Sequence, residues 1–196
     1  MKRKATIERI TKETKIKLDL ELTSLKESKI TSGVPFFDHM LNLMAKHGRF
    51  SLNLKCQGDH EIDDHHSLED IGISLGQALK KALGNKKGIA RFGEAFVPMD
   101  ESLSLAVIDL SGRSFFKYKG TELKGSINNY SEELTLEFLN SFAVNAEISL
   151  HVNLMYGNNR HHIHEAIFKS IALALYQAVS IDKFLGDNIL STKGLL

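Results

Sequence analysis

The chain has 196 residues, of which 42% are hydrophobic and 25% are charged, a composition typical of a globular protein rather than a disordered one. Its 25 basic and 24 acidic side chains leave a formal charge of +1, which gives no general reason to expect binding to nucleic acid. No apolar run approaches the roughly 18 residues of a membrane span, and no apolar signal segment follows the basic start, so we expect a cytoplasmic protein without membrane contact.

Hydrophobic periodicity and turn residues predict the elements of the first half. Alternating apolar residues are typical of strands, proline favours the first position of a helix, and glycine commonly ends one. These signals predict strands near 4–10, 14–22 and 50–56, a helix from Pro35 to Gly48 and a long helix over about 64–83. The single cysteine, Cys56, is interpreted as a buried strand residue; it excludes an intrachain disulfide and fits a reducing compartment.

The second half repeats this order. Its predicted elements are strands over 91–98, 101–110 and 114–119, a helix over about 131–145, a strand over 148–154 and a helix over about 159–180. HMLNLMAKHGRFSLNL aligns with EFLNSFAVNAEISLHV without a gap, HHSLEDIGISLGQAL aligns with HHIHEAIFKSIALAL, and a weaker match pairs Glu13 with Glu101. We therefore predict an α+β fold made of a duplicated β-β-α-β-α unit, with repeats over about 3–86 and 90–182 and a tail over 183–196.

The histidines point to metal binding. All nine lie in the windows 39–66 and 151–164, and a His-His-x-x-Glu motif begins in each window, at His65 and at His161, and ends at Glu69 and at Glu165. On a helix, residues i and i+4 share a face, whereas neighbours diverge by about 100°. Each motif therefore predicts one histidine that shares a metal ion with the glutamate, and an adjacent histidine that faces elsewhere.

Two metal sites accommodate this geometry. We predict that His65 and Glu69 share one ion with His162, and that His161 and Glu165 share the other with His66. Because His39 and Glu137 occupy equivalent positions in the two repeats, we assign His39 to the ion of His161 and Glu137 to the ion of His65. Two imidazoles with a carboxylate suit Mn, Fe, Co, Ni or Zn rather than Mg or Ca.

Other polar residues are less specific when taken alone. His47, His60 and His164 are interpreted as solvated or helix-cap residues, and His151 as packed or hydrogen-bonded in its strand. Glu13, Asp100 and Glu101 carry no signal beyond ordinary charged residues. The candidates for binding an anion are Arg91, Arg113, Lys169 and the segment Ser191, Thr192, Lys193 and Gly194.

Several segments together resemble the imidazoleglycerol-phosphate dehydratase family: GVPFFDHML, GDHEIDDHHSLEDIGISLG, ARFG, PMDESL, DLSGRSFF, GNNRHHIHEAIFKSIALAL and STKG. The resemblance implies a fold of the ribosomal protein S5 domain 2-like type, two manganese ions per active site and a homo-oligomeric shell of twenty-four subunits built from trimers. It also implies loss of water from D-erythro-imidazole-glycerol phosphate to give imidazole-acetol phosphate in histidine biosynthesis.

The resemblance also assigns roles to individual residues. The family's metal ligands correspond to His39, His65, His66, Glu69, His161, His162 and Glu165. Glu137 departs from the pattern, since many members have a histidine there. A carboxylate can replace an imidazole as a metal ligand, or it can instead form a hydrogen bond with a residue that is a ligand. Glu13 becomes the acid/base residue. The residues expected to contact substrate are Glu13, His39, His47, His65, Glu69, Arg91, Arg113, His161, Lys169, Ser191, Thr192 and Lys193.

Two alternatives stay open. A dinuclear metallohydrolase acting on a phosphorylated small molecule would use a metal-bound water as nucleophile. A nucleic-acid-binding module is the other, because the S5-like unit also occurs in such proteins, although the net charge near zero argues against it.

Overall fold

The computed structural model describes residues 3–195, which form two four-stranded β-sheets, one two-stranded sheet and four helices. The first half contains β1 (Lys4–Ile10), β2 (Lys15–Glu21), β3 (Lys29–Thr31), α1 (Pro35–His47), β4 (Ser51–Gln57) and α2 (His65–Leu83). The second half contains β5 (Phe92–Met99), β6 (Ser102–Asp109), β7 (Phe115–Lys119), β8 (Ser126–Ile127), β9 (Tyr130–Ser131), α3 (Leu134–Ala146), β10 (Ser149–Tyr156) and α4 (Arg160–Val179).

The two large sheets have the same strand order. The first is β1-β2-β4-β3 and the second is β5-β6-β10-β7, and in each the last pair is parallel while the others are antiparallel. This arrangement confirms the predicted α+β class. Strand positions alternate as expected, since Ile16, Leu18 and Leu20 of β2 are buried between exposed or half-buried neighbours.

Three details of the prediction were wrong. Strand β3 was missed because three residues are too short to show alternation, whereas β7 lies within the strand predicted over 114–119. The hairpin of β8 and β9 was missed for the same reason. Helix α3 begins at Leu134 rather than near residue 131, because Ser131 pairs with Ser126 in that hairpin.

The helices lie between the two sheets. Helix α2 packs on β1 and β2, α4 packs on β5 and β6, and the two halves meet where α2 contacts α3 and where α1 contacts α4. Close approach of α2 and α3 requires glycine: a Cβ added at Gly76 would lie 2.6 Å from the backbone oxygen of Phe142. Within residues 3–195, no helix has the length and apolar character needed to cross a membrane. The contact of α1 with α4 brings the first group of candidate ligands together.

Candidate active site

His39, His161 and Glu165 form a compact group where α1 crosses α4. The Nε2 atoms of His39 and His161 lie 3.3 and 3.0 Å from Oε1 of Glu165. One ligand atom from each residue lies within 4.8 Å of the others, and this is the one such group of three or more found in the part of the chain that the structure describes. The structure thus brings together three of the four residues assigned from the sequence to one ion.

The charge at this group is set by Glu165. Burial raises the pKa of its carboxyl, but hydrogen bonds with Lys169, His161 and His39 outweigh burial and bring the pKa down to about 2. Lys169 bonds Oε2 of Glu165 and also approaches the Met99 sulfur at 3.4 Å. Glu165 is therefore an ionised carboxylate whose Oε1 faces two imidazoles.

The first motif has the same local geometry but a different neighbour. The Nε2 atom of His65 lies 3.9 Å from Oε2 of Glu69, one helical turn further on. His65 and Glu137 both line a cavity of about 840 Å³. Glu137, which was predicted to share an ion with His65, therefore lies on the same cavity surface. His162, the other predicted ligand of that ion, does not line this cavity.

The adjacent histidines point away from these groups, as the helical geometry predicts. The rings of His65 and His66 meet at 87°, and those of His161 and His162 meet at 85°. Within one chain, neither His66 nor His162 reaches its assigned partners. His66 instead contacts Asp59 and Glu13, and His162 contacts Glu101 and Asp100.

The start of α4 is fixed by capping. The side chain of Asn159 accepts hydrogen bonds from the backbone N–H groups of His161 and His162. The Nδ1 atom of His162 lies 2.7 Å from Oε2 of Glu101, and this bond raises the pKa of the imidazole and lowers that of the carboxyl. The first turn of α4 is thus held by the Asn159 cap and by a carboxylate from the β5–β6 turn.

Glu13 lies in the turn between β1 and β2, beside His66. Its Oε1 is 3.7 Å from Nε2 of His66, and its side chain is 52% exposed. Thr11 accepts hydrogen bonds from the backbone N–H groups of Glu13 and Thr14, and Thr14 in turn bonds Asp70 on α2. The turn is rigidly attached to the helix, while the Glu13 carboxylate projects beyond it.

Most of the candidate anion-binding residues lie around a second cavity of about 1060 Å³, whereas Lys169 lies beside Glu165. This cavity is lined in part by Arg91, Arg113, Ser191, Thr192 and Lys193. The Arg91 guanidinium pairs with both carboxylate oxygens of Asp109 and donates to the Leu190 carbonyl, whereas the Arg113 side chain is exposed. Arg91 therefore holds the chain segment that carries the Ser-Thr-Lys group.

The two groups of candidate residues lie at opposite ends of α4. His161 is in the first turn of the helix, whereas the backbone N–H of Arg91 bonds the carbonyl of Ala178 in the last turn. Seventeen residues of α-helix span about 25 Å. A small substrate cannot contact both groups of one chain at once.

The remaining histidines divide by burial. His164 was expected to be solvated or near a cap; it is instead fully buried, bonding the carbonyl of Arg160 and packing on Phe36 and Tyr130. His60 pairs with Asp64 at 2.7 Å, near the start of α2. Burial, and then the charge of Lys169, lower the pKa of His47. His151 is exposed and lies against the Phe115 ring.

Sequence patterns did not single out Asp59 or Asp70. Both contact site elements, through His66 and through Thr14. The repeat does offer a sequence signal for Asp70, because it aligns this charged residue with Ala166 of the second repeat. A charged side chain on the buried face of a helix needs a bonding partner, and Asp70 is buried.

The fold and the site together define an α+β protein with a His-His-Glu group suited to a divalent transition metal. The family model of imidazoleglycerol-phosphate dehydratase matches residues 32–175. The imidazoleglycerol-phosphate dehydratase of Geobacter sulfurreducens is 52% identical over 196 residues, covering 100% of both chains. The chain belongs to the imidazoleglycerol-phosphate dehydratase family.

Solved structures show the same relationship. The crystal structure of imidazoleglycerol-phosphate dehydratase from Staphylococcus aureus has a TM-score of 0.83 and 35% identity, covering 91% of this chain and 99% of that one. The enzyme from Pyrococcus furiosus, in complex with (S)-C348, has a TM-score of 0.83 and 32% identity, covering 97% of this chain and 100% of that one.

Proposed function

We propose that this chain is a hydro-lyase that converts D-erythro-imidazole-glycerol phosphate to imidazole-acetol phosphate and water, in L-histidine biosynthesis. The observation that carries the proposal is the group of His39, His161 and Glu165, found in a chain that belongs to the dehydratase family. The proposal includes two Mn²⁺ ions per active site, for which other divalent transition metals are possible substitutes.

The donors fit such an ion. Two imidazole Nε2 atoms face one oxygen of a carboxylate whose pKa is held at about 2, so the group offers a negatively charged oxygen and two imidazole nitrogens as ligand atoms. His65 and Glu69 offer the second site, with Glu137 across the same cavity. A bound metal supplies Lewis acidity and a template that orients the imidazole ring of the substrate.

The protein's own groups account for proton movement and binding. The reaction removes a hydroxyl from the carbon attached to the ring and a proton from the neighbouring carbon, and the resulting enol relaxes to a ketone. Glu13 is proposed to accept that carbon-bound proton, because its carboxylate is exposed yet held beside His66 by a rigid turn. Lys169, which bonds Glu165, is proposed to contact substrate at the metal group.

The phosphate group of the substrate is proposed to bind Arg113, Ser191, Thr192 and Lys193. These residues line one cavity, and Arg91 holds the segment through the Leu190 carbonyl. Arg113 is the exposed guanidinium of the set, with a planar array of donors that matches phosphate oxygens.

The separation along α4 supports a homo-oligomer. Because Arg91, which lines the phosphate cavity, bonds the last turn of α4, about 25 Å along the helix from His161, we propose that a complete site combines residues from different copies. His66 and His162 do not reach their assigned partners within one chain and are proposed to complete the metal sites of neighbouring copies. The outer face of the second sheet exposes Phe92, Phe96 and Phe115, which suits burial between copies; assembly into a shell of twenty-four subunits built from trimers is proposed by similarity.

An assay of the chelator-treated protein tests the proposal. Activity should be absent after removal of metal and should return with Mn²⁺, and each turnover should yield one ketone product with no free phosphate. Release of inorganic phosphate without the ketone would instead support a metallohydrolase. Sedimentation velocity of the same samples measures assembly, and an active monomer would contradict the shared site.

A further inference from the structure

The second histidine of each His-His-x-x-Glu motif, His66 or His162, is held by a carboxylate at the same ring nitrogen. Nδ1 of His66 lies 3.0 Å from Oδ2 of Asp59, and Nδ1 of His162 lies 2.7 Å from Oε2 of Glu101. An ionised carboxylate only accepts hydrogen bonds, so Nδ1 carries the proton in both rings. The neutral ring then has its lone pair on Nε2, which faces away from the carboxylate.

The two carboxylates are held in different ways. The Asp59 side chain is mostly buried, and its Oδ1 atom has no hydrogen-bond partner within the described residues. The other oxygen of Glu101 accepts hydrogen bonds from the backbone N–H groups of Asn158 and Asn159, at 3.2 and 2.7 Å, and from the Ser102 hydroxyl at 3.0 Å. Such anchoring restricts ring rotation as well as the position of the proton.

The two repeats supply these carboxylates from different places. In the first repeat Asp59 follows Gly58 directly after β4, whereas the second repeat has Asn158 after Gly157, directly after β10. The neutral Asn158 side chain cannot provide the charge, and Glu101 from the β5–β6 turn takes this role. The counterpart of Glu101 in the first repeat is Glu13, which lies on the Nε2 side of His66 at 3.7 Å.

We infer that Asp59 and Glu101 are positioning residues, each of which holds one histidine with Nε2 directed toward a metal ion, and that Asp59 thereby leaves Glu13 free for proton transfer. This inference rests on the proposed function. In the second repeat the turn glutamate, Glu101, bonds His162 and so positions its ring. In the first repeat Asp59 bonds His66 instead, so the carboxylate of the turn glutamate, Glu13, is not used to position the ring.

Mn²⁺ titration of the assembled protein tests the inference. The variants are Asp59→Ala, Asp59→Asn and Glu101→Gln, and Asp19→Ala is the control because it removes one carboxylate from β2, at a distance from the histidines. Loss of such a partner typically weakens metal binding about 10- to 100-fold. We expect that loss for Asp59→Ala at one of the two sites, a smaller loss for Asp59→Asn and Glu101→Gln, whose amide oxygens still accept the Nδ1–H bond, and none for the control.

Turnover at saturating Mn²⁺ separates positioning from catalysis. Asp59→Ala should regain most of its activity as Mn²⁺ is raised, because its defect is in affinity, whereas a variant lacking the acid/base group stays inactive at every concentration. Wild-type affinity in Asp59→Ala and in Glu101→Gln would overturn the inference. Failure of the wild-type protein to bind Mn²⁺ or to form the ketone would instead overturn the proposed function.

Discussion

Thr14 donates a hydrogen bond from its hydroxyl to Asp70, which joins the turn that carries Glu13 to the helix that carries His65, His66 and Glu69. Asp70 also pairs with the guanidinium of Arg9 on β1 at 2.8 Å. This carboxylate is buried in a helix whose counterpart in the second repeat has Ala166 at the aligned position. A buried charge is retained here because it has two partners, and both belong to elements that flank Glu13.

Replacing Asp70 by alanine should destabilise the protein and displace the Glu13 turn. Removal of one partner from a buried pair costs about 3–5 kcal/mol; since the Arg9 side chain is partly exposed, we expect about 2–3 kcal/mol here. Urea unfolding of Asp70→Ala measures the loss. The control is Glu8→Ala, which breaks an exposed pair with Lys17 and should change stability by less than about 0.5 kcal/mol. Equal effects of the two variants would contradict the role of Asp70.

Much of the fold follows from sequence because its signals are local and repeated. The long helices are periodic, and the duplicated motif predicted that His161 and Glu165 share a face and that His39 joins them. The short strand β3 and the burial of His164 depend on tertiary packing, which periodicity does not record. The partners Asp59 and Asp70 likewise depend on contacts between distant segments.

The arrangement of the complete site is also outside the reach of sequence patterns. The sequence predicts a metal group and an anion group, but their separation along α4 appears once Arg91 is found beside Ala178. Helical spacing correctly predicts that His66 and His162 diverge from their neighbours, yet it cannot say which chain receives them. The direction of a side chain on a helix follows from its local spacing in the sequence, whereas the assembly of several chains depends on contacts between their surfaces.

Arg113→Ala should weaken substrate binding through the phosphate. A hydrogen bond from a charged donor is worth about 1.5–3 kcal/mol, which corresponds to a rise in KM of about 10- to 100-fold. Arg113→Lys keeps the charge but not the planar donor array and should recover only part of the loss. Steady-state kinetics, with inorganic phosphate as a competitive inhibitor, measures the effect. Lys55→Ala, an exposed cation on β4, is the control; an unchanged KM in Arg113→Ala would place the phosphate elsewhere.

Cys56 should resist thiol reagents in the folded protein. It is buried in β4, and burial raises the pKa of its thiol to about 11 from an ordinary 9.0. At pH 8 the thiolate fraction is then about a hundredfold lower than in the unfolded chain. Ellman's reagent should therefore react at least that much faster in guanidinium chloride than in buffer, and Cys56→Ala should give no signal. Rapid reaction of the native protein would contradict burial.

The same thiol makes a specific contribution to stability at alkaline pH. Because the folded pKa lies above the unfolded one, the contribution is fully present below about pH 9 and is lost as pH rises through about 11. Urea unfolding across this window should show a smaller decline in stability for Cys56→Ala than for the wild-type protein. Parallel declines would show that the thiol does not titrate with folding.

Glu13→Gln should abolish turnover while leaving metal binding and assembly intact. The amide keeps the shape of the side chain but cannot accept a proton from carbon, and loss of a general base typically lowers the rate about 10²- to 10⁴-fold. The hydrogen bonds that shape the turn run from the backbone N–H groups of Glu13 and Thr14 to the Thr11 hydroxyl and do not involve the Glu13 carboxylate. The structure of the turn is therefore expected to survive the substitution.

Three measurements on Glu13→Gln separate these effects. Mn²⁺ titration and sedimentation velocity should match the wild-type protein, and the rate of ketone formation should fall at every Mn²⁺ and substrate concentration. Glu101→Gln is the matched control, since it alters the repeat counterpart, whose carboxylate is bonded to His162 and to the backbone of Asn159. Its defect should be relieved by added Mn²⁺, whereas that of Glu13→Gln should not. Near-normal turnover in Glu13→Gln would remove Glu13 from the proton-transfer role and direct attention to Asp100, whose Oδ2 lies 3.9 Å from Nε2 of His162.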